Sequence, residues 1–188
     1  MKEIILGSAS LRRQELLAKI GVKFKVAVSG IDEMIDEKNP LKCVRRLAYL
    51  KGMDVLSTNT DALVLTADTI VELNGKILGK PKDEKDAFLM LKNLSGKTHR
   101  VITAVFIGTK TEYELFHEET FVTVNKMSDS EIANYITKEN VYDKAGSYAI
   151  QGDFGKHVSY IKGDYYNVVG LPLARVYEIL KKKGIINA

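Results

Sequence analysis

Hydrophobic and polar positions follow two periods along this chain, and each change of period marks an element. Ile4, Ile5 and Leu6 form a short apolar strand that runs into the small-residue turn Gly7-Ser8-Ala9-Ser10. The turn opens a helix with Ser10 as its N-cap, closed by Gly21. From Val22 to Val28, Phe24, Val26 and Val28 alternate with Lys23 and Lys25, the period of a half-buried strand. Asn39-Pro40 starts a second helix, a capping side chain followed by proline at the first helical position, with Leu41, Val44, Leu47 and Ala48 as its buried stripe. The run from Ala62 to Ala67 predicts a central buried strand with Asp68 at its end.

Asn74-Gly75 suits a two-residue hairpin turn between Thr69 to Leu73 and Lys76 to Leu78. The tight loop Gly79-Lys80-Pro81-Lys82 follows, then a helix capped by Asp83 that buries Ala87, Met90, Leu91 and Leu94 and stops at Gly96. Two β-rich segments, His99 to Gly108 and Glu118 to Val124, flank a connection around Thr109 to Glu112 and predict antiparallel strands. Ser128 and Glu131 form a capping box for a helix with Ile132, Tyr135 and Ile136 inward. Between Tyr142 and Gly155 three glycines stand among polar and aromatic residues, the texture of a recognition loop. After a strand near His157 to Lys162, Pro172 begins a last helix with Leu173, Val176 and Leu180 inward, ending at Gly184. No repeat, low-complexity tract or flexible linker interrupts the series.

Composition narrows the class. A chain of 188 residues with 45% hydrophobic and 28% charged side chains holds one globular domain or two closely joined lobes with a substantial core. No signal-peptide pattern or membrane-length apolar run is present, and a single cysteine, Cys43, suits a reducing compartment, so the expected location is the cytoplasm. The net charge of +4 comes from basic residues interleaved with acids, which suits a small anionic ligand as well as nucleic acid. His99, His117 and His157 have no spacing that suggests joint metal binding.

Chemistry gathers at a few positions. Arg12 and Arg13 lie in the first turn of a helix, where the positive end of the macrodipole disfavours cations by about 0.3–1 kcal/mol each. An anion held by free N–H groups, Ser8, Ser10 and the guanidiniums would resolve the conflict; an ordinary capped surface helix with solvated arginines is the alternative. Ile31 to Glu37 is an acidic loop, either solvated or facing a cation such as a metal. Lys51 continues an apolar stripe, so its ammonium either snorkels to solvent or meets a partner in a cleft. Asp68, where sheet meets solvent, is a ligand-side candidate or a turn cap. Gln151 carries both donor and acceptor, suiting either the edge of a planar base or its own loop.

Taken in order, Gly-Ser-Ala-Ser-Leu-Arg-Arg-Gln-Glu-Leu-Leu, Ile-Asp-Glu, Leu-Ala-Tyr-Leu-Lys, Ala-Asp-Thr, Gly-Lys-Pro, Ser-Gly-Lys-Thr-His-Arg-Val, Asp-Lys-Ala-Gly-Ser-Tyr-Ala-Ile-Gln-Gly and Val-Val-Gly-Leu-Pro-Leu resemble the Maf family of nucleoside triphosphate pyrophosphatases. Each pattern is weak alone; eight in order, across essentially the whole chain, are specific. The resemblance implies a single domain over residues 1–188 of class α/β, with an elongated twisted mixed sheet flanked by helices and two lobes around a cleft, similar to inosine triphosphate pyrophosphatase. It implies hydrolysis between the α and β phosphates with a divalent cation, magnesium or manganese. Carried over by motif, Ser8, Arg12, Arg13, Lys51 and Lys80 bind phosphates, Glu33 and Asp68 serve the metal and the attacking water, and Asp68 is the catalytic residue. The Ala-Ile-Gln-Gly form of the loop is similar to the branch acting on dTTP and UTP, with Gln151 carrying the distinction from a 7-methyl-GTP branch. A nucleotide-sensing role in inhibiting septum formation is a further implication. Nucleic acid and membrane are not expected partners, and the resemblance is compatible with a homodimer.

Overall fold

The computed structural model describes residues 3–33 and 36–186; Met34 and Ile35, inside the predicted acidic loop, lie outside the described residues. A seven-stranded mixed sheet runs through the molecule in the order β2-β1-β3-β5-β6-β7, with β4 also paired to β3. Its strands are β1 (Ile4–Leu6), β2 (Lys25–Val26), β3 (Leu63–Leu73), β4 (Lys76–Leu78), β5 (Thr98–Gly108), β6 (Tyr113–Val124) and β7 (Val158–Lys162). The helices are α1 (Leu11–Lys19), α2 (Pro40–Thr58), α3 (Glu84–Leu94), α4 (Asp129–Lys138), α5 (Tyr165–Val169) and α6 (Leu173–Lys182). The expected mixed α/β architecture is borne out. β1 pairs parallel with β2 and β3, and every other pairing is antiparallel.

Local signals explain the boundaries. Asn39 accepts from Lys42 N at 3.0 Å and Pro40 fills the first turn of α2. Asp83 caps α3, and Ser128 with Glu131 forms the capping box of α4. α1 departs from expectation: Ser10 occupies the N-cap, but its side chain makes no capping bond. Its backbone N–H instead donates to Ser8 Oγ at 3.3 Å.

β3 is the spine of the fold. One face carries Leu63, Leu65 and Ala67 against α1 and α6, and farther along Val71 and Leu73 against α3 and α4. The opposite face carries Val64 and Ile70 toward α2, where Val44, Ala48, Val55 and Leu56 pack. Each fully buried Leu or Val contributes about 1.5–3 kcal/mol, so these clusters hold the layers together. Between the two clusters on the first face lies a polar seam. There Thr69 and Thr103 pair across β3 and β5, Oγ1 to Oγ1 at 2.9 Å, and Thr103 donates to Asn167 O at 2.9 Å.

Four elements differ from the pattern-based reading. The apolar run and the first hairpin strand are one eleven-residue strand, so Asp68 sits in mid-strand rather than at a strand end. β1 stops pairing with β3 at Leu65 and β4 begins at Val71, both on the edge opposite β5. Among the described residues, no strand pairs with residues 66–70 on that edge, and Asp68 stands in this gap. β2 is only two residues long, and Val26 within it and Val28 beyond it are both exposed, so these two valines do not form the buried face that the alternation predicts. β6 starts at Tyr113, earlier than expected, and the short helix α5, capped by Asp164 accepting from Tyr166 N at 2.7 Å, had no pattern long enough to announce it.

Candidate functional site

Gly7 lets the β1–α1 turn pass close to the sheet: a Cβ there would stand 2.4 Å from Thr66 Cγ2. The turn therefore lies against the open edge of β3, and a cleft of about 1150 Å³ forms between it, α2, the loop before α3 and the 142–155 loop. Ser8, Arg12, Arg13, Glu33, Lys51, Asp68, Lys80 and Gln151 all line this one cleft, although they come from separate segments.

Asp68 and Lys51 form its floor. Even-numbered residues of β3 face α2, and Lys51 extends the α2 stripe to that point, so the two side chains meet by register. Lys51 Nζ lies 2.6 Å from Asp68 Oδ1 and 2.7 Å from Glu33 Oε1. Lys51 and Asp68 are both buried, which decides between snorkelling and an inward partner in favour of the partner. Glu33 also meets Lys80 Nζ at 3.3 Å, giving a chain Asp68–Lys51–Glu33–Lys80 from floor to rim. Burial pushes the Asp68 carboxyl above the ordinary carboxylate range, with Lys51 and Arg13 opposing and the Glu33 charge reinforcing. Burial acts the same way on Glu33, but there the hydrogen bond and charge of Lys51, joined by Lys80, win and hold it below the ordinary value.

The phosphate-side candidates differ among themselves. Arg12 faces across the cleft, its Nη1 at 3.2 Å from Asp143 Oδ2 in the 142–155 loop. Arg13 turns inward: Nε donates to Gly170 O at 2.8 Å, Nη1 to Ser8 Oγ at 3.2 Å and Nη2 to Thr69 Oγ1 at 3.0 Å. Burial lowers its pKa, Asp68 opposing and Arg12 adding to the effect. Gly170, with φ of +123°, closes the turn after α5 and brings its carbonyl to Arg13.

Gln151 is exposed on the cleft wall. Its loop is anchored beneath: Tyr148 Oη lies 2.7 Å from His99 Nε2, and Ala149 N donates to Tyr135 Oη at 3.2 Å. Sequence reasoning missed Thr69, Asp143, Tyr148 and Gly170 as parts of the site. All four sit inside the quoted motifs, but nothing in a linear pattern shows which neighbour of a functional residue faces the cleft.

Two carboxylates that converge on one cationic point fit a hard divalent ion, which proteins bind through one or two carboxylates together with substrate phosphates. Among the described residues no group of three or more His, Cys, Asp and Glu side chains comes together. A ligand's oxygens would have to complete such a shell. The arrangement suits a polyanion lying between the Arg12 and Lys80 sides of the cleft, with Asp68 below it. Among the described residues no helix is long and apolar enough to cross a membrane.

A family model described as Maf-like protein matches residues 3–183. The dTTP/UTP pyrophosphatase of Thermosipho africanus (strain TCF52B) is 48% identical over 186 residues, covering 99% of this chain and 96% of the relative. That of Thermoanaerobacter sp. (strain X514) is 45% identical over 184 residues, covering 96% of each. Among solved structures, the Staphylococcus aureus Ham1 protein is similar with a TM-score of 0.56 at 12% identity, covering 97% of this chain and 100% of that one. That likeness bears on the fold alone.

Proposed function

The chain belongs to the Maf-like protein family, and from that membership and the cleft chemistry we propose that it hydrolyses nucleoside triphosphates, dTTP and UTP among them, to a nucleoside monophosphate and pyrophosphate. The observation that carries this reading is the convergence of Asp68 and Glu33 on one point, within a cleft whose walls present Ser8, Arg12 and Lys80. The name of the relatives, dTTP/UTP pyrophosphatase, supports the pyrimidine substrates, with Gln151 reading the base edge.

Phosphoryl chemistry is limited by positioning and charge neutralisation more than by covalent work. Asp68 accepts the proton of the water that attacks the α-phosphorus; a carboxylate raised by burial is a stronger base than an exposed one. Lys51 has three donors, two of them on Asp68 and Glu33, so the third reaches toward phosphate while the ammonium holds both carboxylates in place. Arg12 and Lys80 neutralise the departing pyrophosphate, exchanging Asp143 and Glu33 for phosphate oxygens. Asp68 and Glu33 would hold magnesium or manganese, which supplies further neutralisation of the phosphate charge. A reducing, nucleotide-bearing compartment such as the cytoplasm suits a chain with one thiol.

A panel of dTTP, UTP, 7-methyl-GTP and ITP, with and without magnesium and with product analysis, tests the proposal. Pyrophosphate release from dTTP and UTP that stops on chelation is the expected result. Orthophosphate as the product overturns the reaction, and preference for either purine nucleotide overturns the base assignment.

A further inference from the structure

Hydrogen-bond direction can be followed atom by atom from Arg13. A guanidinium only donates, so Thr69 Oγ1 accepts from Nη2. Thr103 places its one proton on Asn167 O, a carbonyl that only accepts. In the Thr69–Thr103 bond the donor is therefore Thr69. That commits the Thr69 proton away from the cleft and ties Arg13 into a chain ending on buried Asn167, whose Nδ2 donates to Val101 O and Thr120 Oγ1. With Nε on Gly170 O, the guanidinium spans the β1–α1 turn, β3 beside Asp68 and the turn after α5.

The consequence falls on Ser8. Its oxygen accepts two N–H groups, Arg13 Nη1 at 3.2 Å and Ser10 N at 3.3 Å, which fills both lone pairs. The hydroxyl proton is then the only hydrogen-bonding capacity left, and Ser8 is 7% exposed on the cleft wall. We infer that Arg13 is a positioning residue that presets Ser8 as an obligate donor toward an unprotonated phosphate oxygen, rather than a direct ligand of the phosphate chain. A hydroxyl fixed in this way favours a fully ionised oxygen over a protonated or esterified one, and it loses no rotational freedom when the ligand arrives. The inference rests on the proposal that the cleft binds a triphosphate.

A double-substitution cycle on binding of inorganic tripolyphosphate, measured by calorimetry, tests it without requiring turnover. Arg13→Lys keeps the charge and removes the fork; Ser8→Ala removes the donor. Each is expected to weaken binding about tenfold, the effect of losing one hydrogen bond to an anion. Together they should weaken it no more than the worse of the two, because Arg13 acts through Ser8. Wild-type affinity in Arg13→Lys, or losses that multiply to about a hundredfold in the double variant, overturns the inference. A melting temperature lowered by Arg13→Lys with no coupling to Ser8 marks a merely structural strut and overturns it equally. If Arg13→Lys does not fold, Thr69→Val, which removes one anchor of the fork at constant charge, takes its place. It should weaken tripolyphosphate binding beside Ser8 and have no effect in the Ser8→Ala background. The wild-type protein's release of pyrophosphate from dTTP is scored separately: its failure overturns the hydrolase proposal and leaves the cycle readable.

Discussion

Acidification should loosen this protein through one buried imidazole. His99 on β5 is 2% exposed, lies edge-on to Tyr148 at 5.4 Å and bonds Tyr148 Oη through Nε2 at 2.7 Å. Its Nδ1 is buried with no hydrogen-bond partner among the described residues. Burial lowers the pKa from 6.5 to about 4. Between those values the unfolded chain binds a proton that the folded state refuses. The stabilising contribution is therefore complete above pH 6.5, shrinks as pH falls and is lost once pH drops below about 4. The full span corresponds to about 3 kcal/mol, of which about 2 kcal/mol is gone at pH 5. For a chain of this size that is roughly 4–8 °C in melting temperature. Thermal and urea melts at pH 7 and pH 5 on the wild type and on His99→Phe separate this group from the other titrations. The variant starts lower, because Tyr148 loses its partner, but its stability should fall by about 2 kcal/mol less between the two pH values. Parallel pH curves for the two proteins would refute the reasoning.

Asp68→Asn should lower kcat by about a hundredfold to ten-thousandfold, the usual contribution of a positioned general base. Turnover near normal for the same variant in single-turnover assays would remove Asp68 from the chemistry. Gly52→Ala sets a Cβ 2.5 Å from Phe106 Cδ1 in the α2–sheet contact, and overpacking of this kind costs about 1–3 kcal/mol in a denaturant melt. An unchanged midpoint would show that the contact yields. Asp143→Asn frees Arg12 from its cross-cleft partner, and since exposed ion pairs are worth about 0–1 kcal/mol, KM for dTTP should fall by up to about fivefold. A rise in KM would mean that Asp143 assists the substrate rather than competes with it.

Much of the fold was legible because its signals are local. The Asn39 cap, the Ser128–Glu131 capping box, the Asn74-Gly75 turn and the apolar stripes of α2 and α4 each act within a few residues, so their spacing in the chain carries their physics. The five-residue helix α5 was not legible, because it is too short for a period to emerge, while the alternation over Val22 to Val28 announces a strand but overstates β2, which spans only two residues. Asp68 shows the same limit in a strand. A carboxylate in an apolar run reads as a strand end, yet β3 continues through it because Lys51 supplies the partner that solvent would otherwise provide.

The chain alone determined which chemical groups are available: the two arginines at a helix start, the lysine on an apolar stripe, the lone acid in the central strand and the glutamine in a glycine-rich loop. Their side chains and the local backbone signals around them are properties of short segments. Only the tertiary structure decided that eight such residues face one cleft, that Asp68 stands in the gap between the β1 and β4 pairings, and that Arg13 turns inward to Ser8, Thr69 and Gly170 while its neighbour Arg12 turns outward to Asp143. Adjacent residues on a helix diverge by about 100°, so two arginines that look equivalent in sequence meet different surroundings. What each arginine meets depends on contacts between segments far apart in the chain.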